Sequence, residues 1–372
     1  MSKQVGKYTY FITGGGTGGH IYPAVAVADA LSSDEDTKGL YYIGNPENLE
    51  ADIVSSKGYE FLPVNVHGMP RKAGLELLKW AFQLSGAVIK CLNYINLYKP
   101  DAVFGTGGYV SAPILIACKL SHVPYMMHDC DAQPGLVTRK LASGASAISV
   151  AFECAKNFIK NENININGNP IRPGFKNMTK FEARQALGLG HKITLCIMGG
   201  SQGARTINDA AVEILKTLSQ KYDVQIIFQT GKKNFDRVIE QLIKFYPEYE
   251  QDKKLIVKPY FDDMVTVLKA SDIAVSRAGS LSLSEICASG IAPILVPYPH
   301  AAADHQRKNA KYMVEQNAAL YLEDNEVTEK TLLTAILSLL TDKEKLIKIQ
   351  QGALKLARYD GVEKIVSQLK HI

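Results

Sequence analysis

The stretch that decides the fold is FITGGGTGGHIYP, residues 11–23, in which an apolar run is followed by glycines, one threonine and one histidine. The residues from Tyr8 to Thr13 have the composition of a short buried strand. Gly14, Gly16 and Gly19 show the G-x-G-x-x-G spacing of a phosphate-binding turn between a strand and a helix. The stretch therefore predicts the start of a Rossmann-like domain, and the rest of the chain decides which ligand the turn serves.

The same pattern occurs twice along the chain. Strand-like runs alternate with helical periodicity, which indicates βαβ units and a parallel sheet with helices on both faces. At residue 192 the pattern restarts with a strand, the glycine loop GGSQGAR and a helix. We therefore predict an α/β protein with two tandem Rossmann-like domains. The predicted strands are 8–13, 40–43, 102–104, 123–128, 192–198, 225–229, 255–257, 272–276 and 292–296, and the predicted helices are 23–31, 206–219 and the tail 329–372.

The polar segment 161–175, which contains two glycines and two prolines, marks the boundary between the domains. A chain of 372 residues suits two domains of ordinary size. We expect an N-terminal domain at 1–168, a C-terminal domain at 169–350, and a C-terminal helix at 351–372 that packs back on the N-terminal domain.

Composition narrows the class of protein. A hydrophobic content of 46% and a charged content of 21% are ordinary for a folded soluble protein. The net charge of +5 is too small to indicate a nucleic-acid partner, and it does not oppose an anionic membrane or a phosphorylated substrate. The six cysteines form no C-x-x-C pair, so we expect a reducing cytosol and neither a disulfide framework nor a zinc site. We find no signal-peptide pattern and no apolar run of about 18 to 20 residues, so the chain can touch a membrane and is not expected to cross one.

Glycine loops follow three of the predicted strands, at 14–19, 104–110 and 199–205. A nicotinamide or flavin site also needs an acidic residue at the end of the second strand, and here that strand ends in Gly44 and Asn45. Three such loops favour a groove that accepts a phosphorylated substrate in one domain and a nucleotide in the other. The alternative is that these glycines only allow tight packing of helices on strands.

The segment SRAGSLSLSEICASG, residues 276–290, places small hydroxyl side chains at a helix start, with Glu285 one turn further on. Hydroxyls and N–H groups there suit a diphosphate, and an inward carboxylate can accept both hydroxyls of a ribose. The alternative is a capping box formed by Ser282 and Glu285, which needs no ligand.

Two histidines are candidates for a general base. His20 follows the first glycine turn and stands immediately before the predicted helix, and His128 ends a strand in the same half of the chain. Imidazole titrates near neutral pH, so either side chain has suitable chemistry. The residues alone do not choose between them.

Taken in order, the motifs GGGTGGHIYPA, FGTGGYVSAP, MHDCDAQPGLVTRKLA, GNPIR, GGSQGAR, FDDM and SRAGSLSLSEICASG resemble those of the MurG family between about residues 8 and 310. The resemblance implies a GT-B glycosyltransferase, with two Rossmann-like domains facing a cleft. It also implies an inverting, metal-independent transfer of N-acetylglucosamine from UDP-N-acetylglucosamine to undecaprenyl-linked lipid I, which gives lipid II for peptidoglycan. Cofactors are expected to be absent. The implied location is the cytoplasmic face of the bacterial cell membrane, as a peripheral protein and a possible member of a cell-wall synthesis complex.

The resemblance also implies roles for individual residues. The C-terminal domain would bind the donor, and the N-terminal domain would face the acceptor and the membrane. His20 would remove the proton from the attacking muramoyl hydroxyl. Where the family often has HEQNA, this chain has HDCDA, so Asp131 replaces an amide near the donor sugar. The implied substrate-binding residues are Thr17, Gly18, Gly19, Tyr109 and Asp131 in the first half, and Arg172 and Ser201 (diphosphate), Phe261 (uracil, through its backbone), Ser280, Leu281, Ser282, Leu283 and Ser284 (nucleotide), Glu285 (ribose) and Gln306 (sugar) in the second.

The segment PRKAGLELLKWAFQL, residues 70–84, mixes cations with apolar and aromatic side chains. Such a mixture is typical of a helix that lies in a membrane interface, and a buried amphipathic helix is the alternative. Two other functions stay open from the sequence: a related glycosyltransferase with a different acceptor, and a non-catalytic UDP-sugar sensor in which His20 would be dispensable.

Overall fold

The computed structural model describes residues 6–70 and 74–372. The chain forms two compact units, of which the first comprises Met1–Ile171 and Asp360–Ile372 and the second comprises Arg172–Tyr359. The boundaries expected from the sequence fall at 168 and 350, whereas these units change over at 171 and 359. The last helix of the chain belongs to the first unit.

Within its described residues, the first unit contains a seven-stranded parallel sheet in the order β3-β2-β1-β4-β5-β6-β7. Side chains alternate between its faces. Phe11 packs in the core beneath the helices Leu75–Tyr98 and Gly108–Ser121, and its neighbours Tyr10 and Ile12 pack beneath the helices Gly18–Ser32 and Gly361–Leu369. The elements are β1 (Tyr8–Thr13), α1 (Gly18–Ser32), β2 (Thr37–Gly44), α2 (Leu49–Ser56), β3 (Glu60–Pro63), α3 (Leu75–Tyr98), β4 (Ala102–Gly105), α4 (Gly108–Ser121), β5 (Tyr125–Asp129), α5 (Leu136–Leu141), β6 (Ala147–Val150), β7 (Ile164–Ile166) and α14 (Gly361–Leu369).

The second unit is built around a six-stranded parallel sheet in the order β10-β9-β8-β11-β12-β13. Its core lies between the sheet and the apolar faces of four helices, which span Arg205–Lys221, Phe235–Phe245, Glu329–Leu340 and Lys343–Leu356. The elements are α6 (Lys180–Ala186), β8 (Ile193–Met198), α7 (Arg205–Lys221), β9 (Val224–Gln229), α8 (Phe235–Phe245), β10 (Leu255–Lys258), α9 (Met264–Ala270), β11 (Ile273–Ser276), α10 (Ser280–Ser289), β12 (Ala292–Leu295), β13 (Leu320–Tyr321), α11 (His305–Glu315), α12 (Glu329–Leu340) and α13 (Lys343–Leu356).

The predicted strand Tyr8 to Thr13 is confirmed, and the other predicted strands are confirmed with shifted ends. The start of α1 was predicted wrongly. The helix begins at Gly18 after the N-cap Thr17, so His20 lies inside the first turn and not before it. Gly18 and Gly19 have low helix propensity, so the sequence does not mark them as the start of a helix. Pro23, expected at the first helical position, is the sixth residue of the helix.

Each sheet reverses its strand order once. The reversal lies between β1 and β4 in the first unit and between β8 and β11 in the second. In open α/β sheets ligands bind beyond the carboxyl ends of the strands at this switch point. The loops that start there are 14–17 and 106–107 in the first unit, and 199–204 and 277–279 in the second. The topology therefore selects one candidate site in each unit.

Candidate active site

The two glycine loops of the first unit touch each other at its switch point. A Cβ on Gly14 would lie 2.0 Å from Thr106 Oγ1, and a Cβ on Gly108 would lie 2.8 Å from the carbonyl oxygen of Gly15. Gly16 has a φ of +83°, a conformation that favours glycine. Gly14 and Gly108 therefore allow the two loops to approach each other closely.

His20 lies between these loops and is partly exposed. Its Nδ1 lies 3.1 Å from Thr17 Oγ1, and its carbonyl accepts a 2.6 Å hydrogen bond from Thr106 Oγ1. A Cβ on Gly107 or Gly108 would lie 3.5 to 3.7 Å from the imidazole, so both glycines pass close beside the ring. The Thr17 hydroxyl at Nδ1 and the two glycines beside the ring restrict its orientation. Nε2 can act as a base when Nδ1 carries the proton and donates it to Thr17 Oγ1.

The prediction that His128 is a catalytic group is corrected by its surroundings. Its side chain is fully buried, Nδ1 lies 2.9 Å from Ser149 Oγ, and Nε2 lies 3.0 Å from Asn169 Oδ1. Burial lowers the pKa of His128 to about 4. A ring with both nitrogens engaged and no exposed surface is a structural histidine, and we do not propose it as a base.

Asp129 is buried next to His128 and organises the loop that follows β5. Its carboxylate accepts hydrogen bonds from the backbone N–H groups of Asp131 (3.2 Å) and Gly135 (3.1 Å). Burial raises the pKa of Asp129 to about 6, against these hydrogen bonds, which lower it. Asp131 itself is partly exposed, and the charges of Asp131 and His20 both act on His128. The predicted residues Asp131 and His20 therefore lie near the same buried histidine.

The opposite pKa shifts of His128 and Asp129 predict opposite contributions of these two residues to the dependence of stability on pH. Between about pH 4 and 6.5 the unfolded state binds the extra proton at His128, so this residue lowers stability on acidification. Between about pH 4 and 6 the folded state binds the extra proton at Asp129, which raises stability on acidification. The two contributions offset each other over the shared window.

Asp129→Asn should remove only the second contribution. We expect urea unfolding to show the variant losing about 1.4 kcal/mol per pH unit more than the wild type between pH 6 and 4.5. The exposed Asp52, replaced by asparagine, is the matched control and should follow the wild type. Parallel profiles for Asp129→Asn and the wild type would contradict the assignment.

In the second unit the predicted diphosphate and ribose residues contact each other. Arg172 Nη1 lies 3.0 Å from Glu285 Oε2, and Glu285 is only 8% exposed. Burial raises the pKa of Glu285, and the charge of Arg172 opposes this shift. A bound diphosphate would compete with the carboxylate for the guanidinium.

The start of α10 differs from the capping-box alternative. The helix begins at Ser280 with Gly279 as N-cap, which makes no side-chain cap hydrogen bond, so Ser282 and Glu285 do not form the box. The Leu283 side chain is fully buried, so its predicted contact with the nucleotide is corrected to a backbone contact at most. Ser280 is also buried, and Leu281, Ser282 and Ser284 are partly exposed.

Glutamine side chains form hydrogen bonds with the backbone at two further positions predicted to bind the UDP-sugar, Gln306 and Phe261. The side-chain oxygen of Gln306 accepts from the N–H groups of Ala278 (3.2 Å) and Tyr298 (2.9 Å), which leaves its NH₂ group as the donor toward a ligand. The N–H of Phe261 donates to Gln229 Oε1 at 3.0 Å. Uracil would have to displace this amide to use the Phe261 N–H. Sequence reasoning missed Gln229, because no motif marks a strand residue that contacts a distant loop.

Ser201, predicted to meet the diphosphate, lies exposed in the loop between β8 and α7. Five of the six cysteines are buried, and Cys154 is partly buried. Among residues 6–70 and 74–372, no three His, Cys, Asp or Glu side chains cluster as a metal ion would require. Metal independence stays a prediction that a chelator tests.

Comparisons with known proteins agree with this architecture. Residues 10–150 match the glycosyltransferase family 28 N-terminal domain, and residues 194–365 match the glycosyltransferase family 28 C-terminal domain. A UDP-N-acetylglucosamine–N-acetylmuramyl-(pentapeptide) pyrophosphoryl-undecaprenol N-acetylglucosamine transferase of Desulforamulus reducens is 36% identical over 97% of this chain and 98% of its own. The enzyme of the same name from Thermoanaerobacter sp. is 35% identical over 98% of this chain and 99% of its own.

Solved structures share the fold at lower identity. Acinetobacter baumannii MurG superposes with a TM-score of 0.81 at 23% identity, over 98% of this chain and all of its own. The UDP-GlcNAc 2-epimerase of Neisseria meningitidis gives a TM-score of 0.65 at 12% identity, over 98% of this chain and 100% of its own. At these identities the likeness concerns the fold alone.

Two parallel-sheet α/β units, each with glycine-containing loops at its switch point and a family 28 domain match, define a glycosyltransferase of the GT-B class. The relatives narrow this class, because they span nearly the whole chain at 35 to 36% identity. The chain belongs to the MurG family. The predicted resemblance and the predicted pair of Rossmann-like domains are thereby confirmed.

Proposed function

We propose that this protein transfers N-acetylglucosamine from UDP-N-acetylglucosamine to lipid I, with inversion at the sugar carbon, and so makes lipid II for peptidoglycan. The observation that carries the proposal is the match to relatives named for this transfer over nearly the full chain. The glycine loops at both switch points support it, since one unit can then serve the acceptor and the other the nucleotide.

The second unit is proposed to bind the donor. Arg172, Ser201 and the N-terminus of α10 would meet the diphosphate, where the helix dipole contributes about 0.3 to 1 kcal/mol of attraction for an anion. Glu285 would accept the ribose hydroxyls once the diphosphate has drawn Arg172 away. Gln306 would donate its NH₂ hydrogens to the sugar, because its oxygen is already held by two N–H groups.

His20 is the proposed catalytic base. Its Nε2 would take the proton of the muramoyl hydroxyl while the hydroxyl oxygen bonds to the anomeric carbon. The bond from that carbon to the diphosphate oxygen breaks at the same time, and UDP leaves with the electron pair. Arg172 and the α10 N-terminus would stabilise the charge that develops on the leaving group. Thr17 would hold His20 in the required tautomer, and Thr17, Gly18, Gly19, Tyr109 and Asp131 would contact the sugars.

A product assay tests the reaction. Purified protein would be incubated with UDP-N-acetylglucosamine and a soluble lipid I analogue, with and without EDTA, and the products read by mass spectrometry. We expect a product heavier by one N-acetylhexosamine, unchanged by EDTA. Donor binding without product would contradict the acceptor assignment and favour the sensor alternative, and loss of product with EDTA would contradict metal independence.

The helix α3 is proposed to rest on an anionic membrane surface, where the lipid acceptor is located. Its first turns expose Leu75 (76%), Leu78 (69%) and Phe82 (83%) on one face, with the exposed Lys79 beside them. Trp80 is partly buried and donates its indole N–H to the His67 carbonyl. The exposure of these side chains supports the interfacial helix over the buried amphipathic helix of the alternative. Arg71 and Lys72, predicted to belong to the patch, lie outside the described residues. Among the described residues, no helix has both the length and the apolar character of a membrane span.

The double replacement of Leu75 and Phe82 by aspartate should abolish flotation with liposomes that contain anionic lipid. The change removes apolar area that the membrane would bury, and it adds negative charge that the anionic lipid repels. Leu97→Asp is the matched control, since Leu97 is a similarly exposed leucine (71%) at the other end of the same helix. We expect the control to float as the wild type does. Undiminished flotation of the folded double variant would contradict the membrane assignment.

A further inference from the structure

A buried carboxylate lies directly behind the first glycine loop. Glu50, in the first turn of α2, is fully buried. Its Oε2 accepts from the N–H of Gly16 (3.1 Å), and its Oε1 accepts from the N–H of Asn45 (3.2 Å) and from the side-chain amide of Asn48 (3.1 Å). Burying a carboxylate costs much more free energy than burying an amide of the same size. The mechanism described above does not use this group.

The carboxylate is linked to a residue of the proposed substrate site. The Asn48 amide that donates to Glu50 also donates to the hydroxyl of Tyr109, at 3.0 Å. The ring of Tyr109 passes close to Gly16, where a Cβ would lie 3.2 Å from its Cε1. Glu50 thus holds Gly16 by its N–H, and Tyr109 contacts the same residue through its ring. The contacts therefore form a closed loop within the first unit, from Gly16 through Glu50, Asn48 and Tyr109 back to Gly16.

The carboxylate also explains the central glycine of the Gly14–Gly16 run. A Cβ on Gly15 would lie 2.4 Å from Glu50 Oε1 and 2.5 Å from its Cδ. Any larger residue at position 15 would therefore push the carboxylate away from the turn. Gly15 provides the space that Glu50 occupies.

We propose that Glu50 is a positioning residue for the transfer: it fixes the Gly14–Gly16 turn and, through Asn48, the Tyr109 side chain, so that Thr17 and His20 are presented in one geometry. The N–H of Gly16 is committed to Glu50, so an acceptor diphosphate would use the Thr17–Gly19 side of the loop. This inference rests on the proposed role of His20.

Glu50→Gln tests the proposal with little change in volume. The amide oxygen can still accept from Asn45 and Asn48, but the NH₂ group then faces the N–H of Gly16, donor against donor. We expect hydrogen exchange in a peptide covering 14–19 to speed up at least tenfold, with exchange in β5 and β6 unchanged. Turnover should fall about 10- to 100-fold, as for a displaced catalytic group, with the Kd of UDP-N-acetylglucosamine within twofold of the wild type.

Gly15→Ala provides a second, independent variant, because it displaces the carboxylate without changing its charge. It should reproduce the exchange and turnover effects of Glu50→Gln. Tyr59→Phe is the matched control, since it removes a partly buried hydrogen bond to Asp29 in the same unit and does not touch the turn. The control should keep the wild-type turnover and the wild-type exchange at 14–19.

Exchange is measured without substrates, so this arm does not depend on the proposed reaction. Unchanged exchange at 14–19 in both variants would overturn the positioning role, whatever the activity of the wild type. Faster exchange throughout the first unit, with turnover falling in proportion to the folded fraction, would overturn it in favour of a purely structural role. An inactive wild type with faster local exchange in the variants would overturn the proposed function while supporting the control of the loop by Glu50.

Discussion

His20→Ala is expected to lower turnover about 10²- to 10⁴-fold, the range that a general base usually contributes. The reason is that the imidazole is the proposed proton acceptor, and its orientation is set by Thr17 Oγ1 and by the glycines beside the ring. The donor residues lie in the second unit, so UDP binding should persist. The two effects are separated by single-turnover kinetics and by calorimetry with UDP.

His67→Ala is the matched control, because His67 is an exposed histidine of the same unit whose only described role is to accept the Trp80 indole N–H through its backbone carbonyl. We expect its turnover to stay near the wild-type value. Equal losses of turnover and of UDP binding in His20→Ala would point to a structural role. A fully active His20→Ala protein would require another base, and the surroundings of His128 do not offer one.

Glu285→Ala is expected to raise the Kd of UDP-N-acetylglucosamine by at least about 100-fold. The carboxylate is the proposed acceptor for both ribose hydroxyls, and hydrogen bonds to a charged group contribute about 1.5 to 3 kcal/mol each. The fold should tolerate the change. Burial raises the pKa of Glu285, which means that its charge is unfavourable there, and Arg172 is exposed enough to be hydrated without its partner.

Calorimetry with UDP-N-acetylglucosamine measures this loss, and thermal unfolding measures the tolerance of the fold. Glu285→Gln keeps one acceptor oxygen and should lose about tenfold in affinity. Glu326→Ala, at an exposed position of the same unit, is the control and should bind as the wild type does. A Kd unchanged in Glu285→Ala would contradict the ribose assignment, and an unfolded variant would contradict the argument from burial.

Much of the fold is predictable because its signals are local. The apolar run Tyr8 to Thr13 predicts a buried strand, and the glycine turn and helical periodicity after it predict a βαβ unit. The restart at residue 192 predicts a second domain by the same logic. The short strands Glu60–Pro63, Ala147–Val150, Ile164–Ile166 and Leu320–Tyr321 were not predicted, since so few residues carry no period.

The candidate site is predictable only in part. The motifs identify His20, Arg172 and Glu285 as chemistry-bearing residues, but they assign the same chemistry to His128. The strand β5 carries His128 into the interior beside Ser149 and Asn169, which come from sequence positions 21 and 41 residues away. This burial keeps His128 neutral and gives it a structural role, and no local sequence pattern indicates that burial.

By itself, then, the amino-acid sequence determined the strand–glycine loop–helix repeat, the family and the positions of the loops, because these depend on periodicity and on residue types close along the chain. The tertiary structure alone decided which titratable groups are buried and paired. It engaged both nitrogens of His128, paired Arg172 with Glu285, and placed Glu50 beneath the Gly14–Gly16 turn. The physical reason is that desolvation and hydrogen bonding depend on contacts between distant segments, which arise only when the sheet orders its strands.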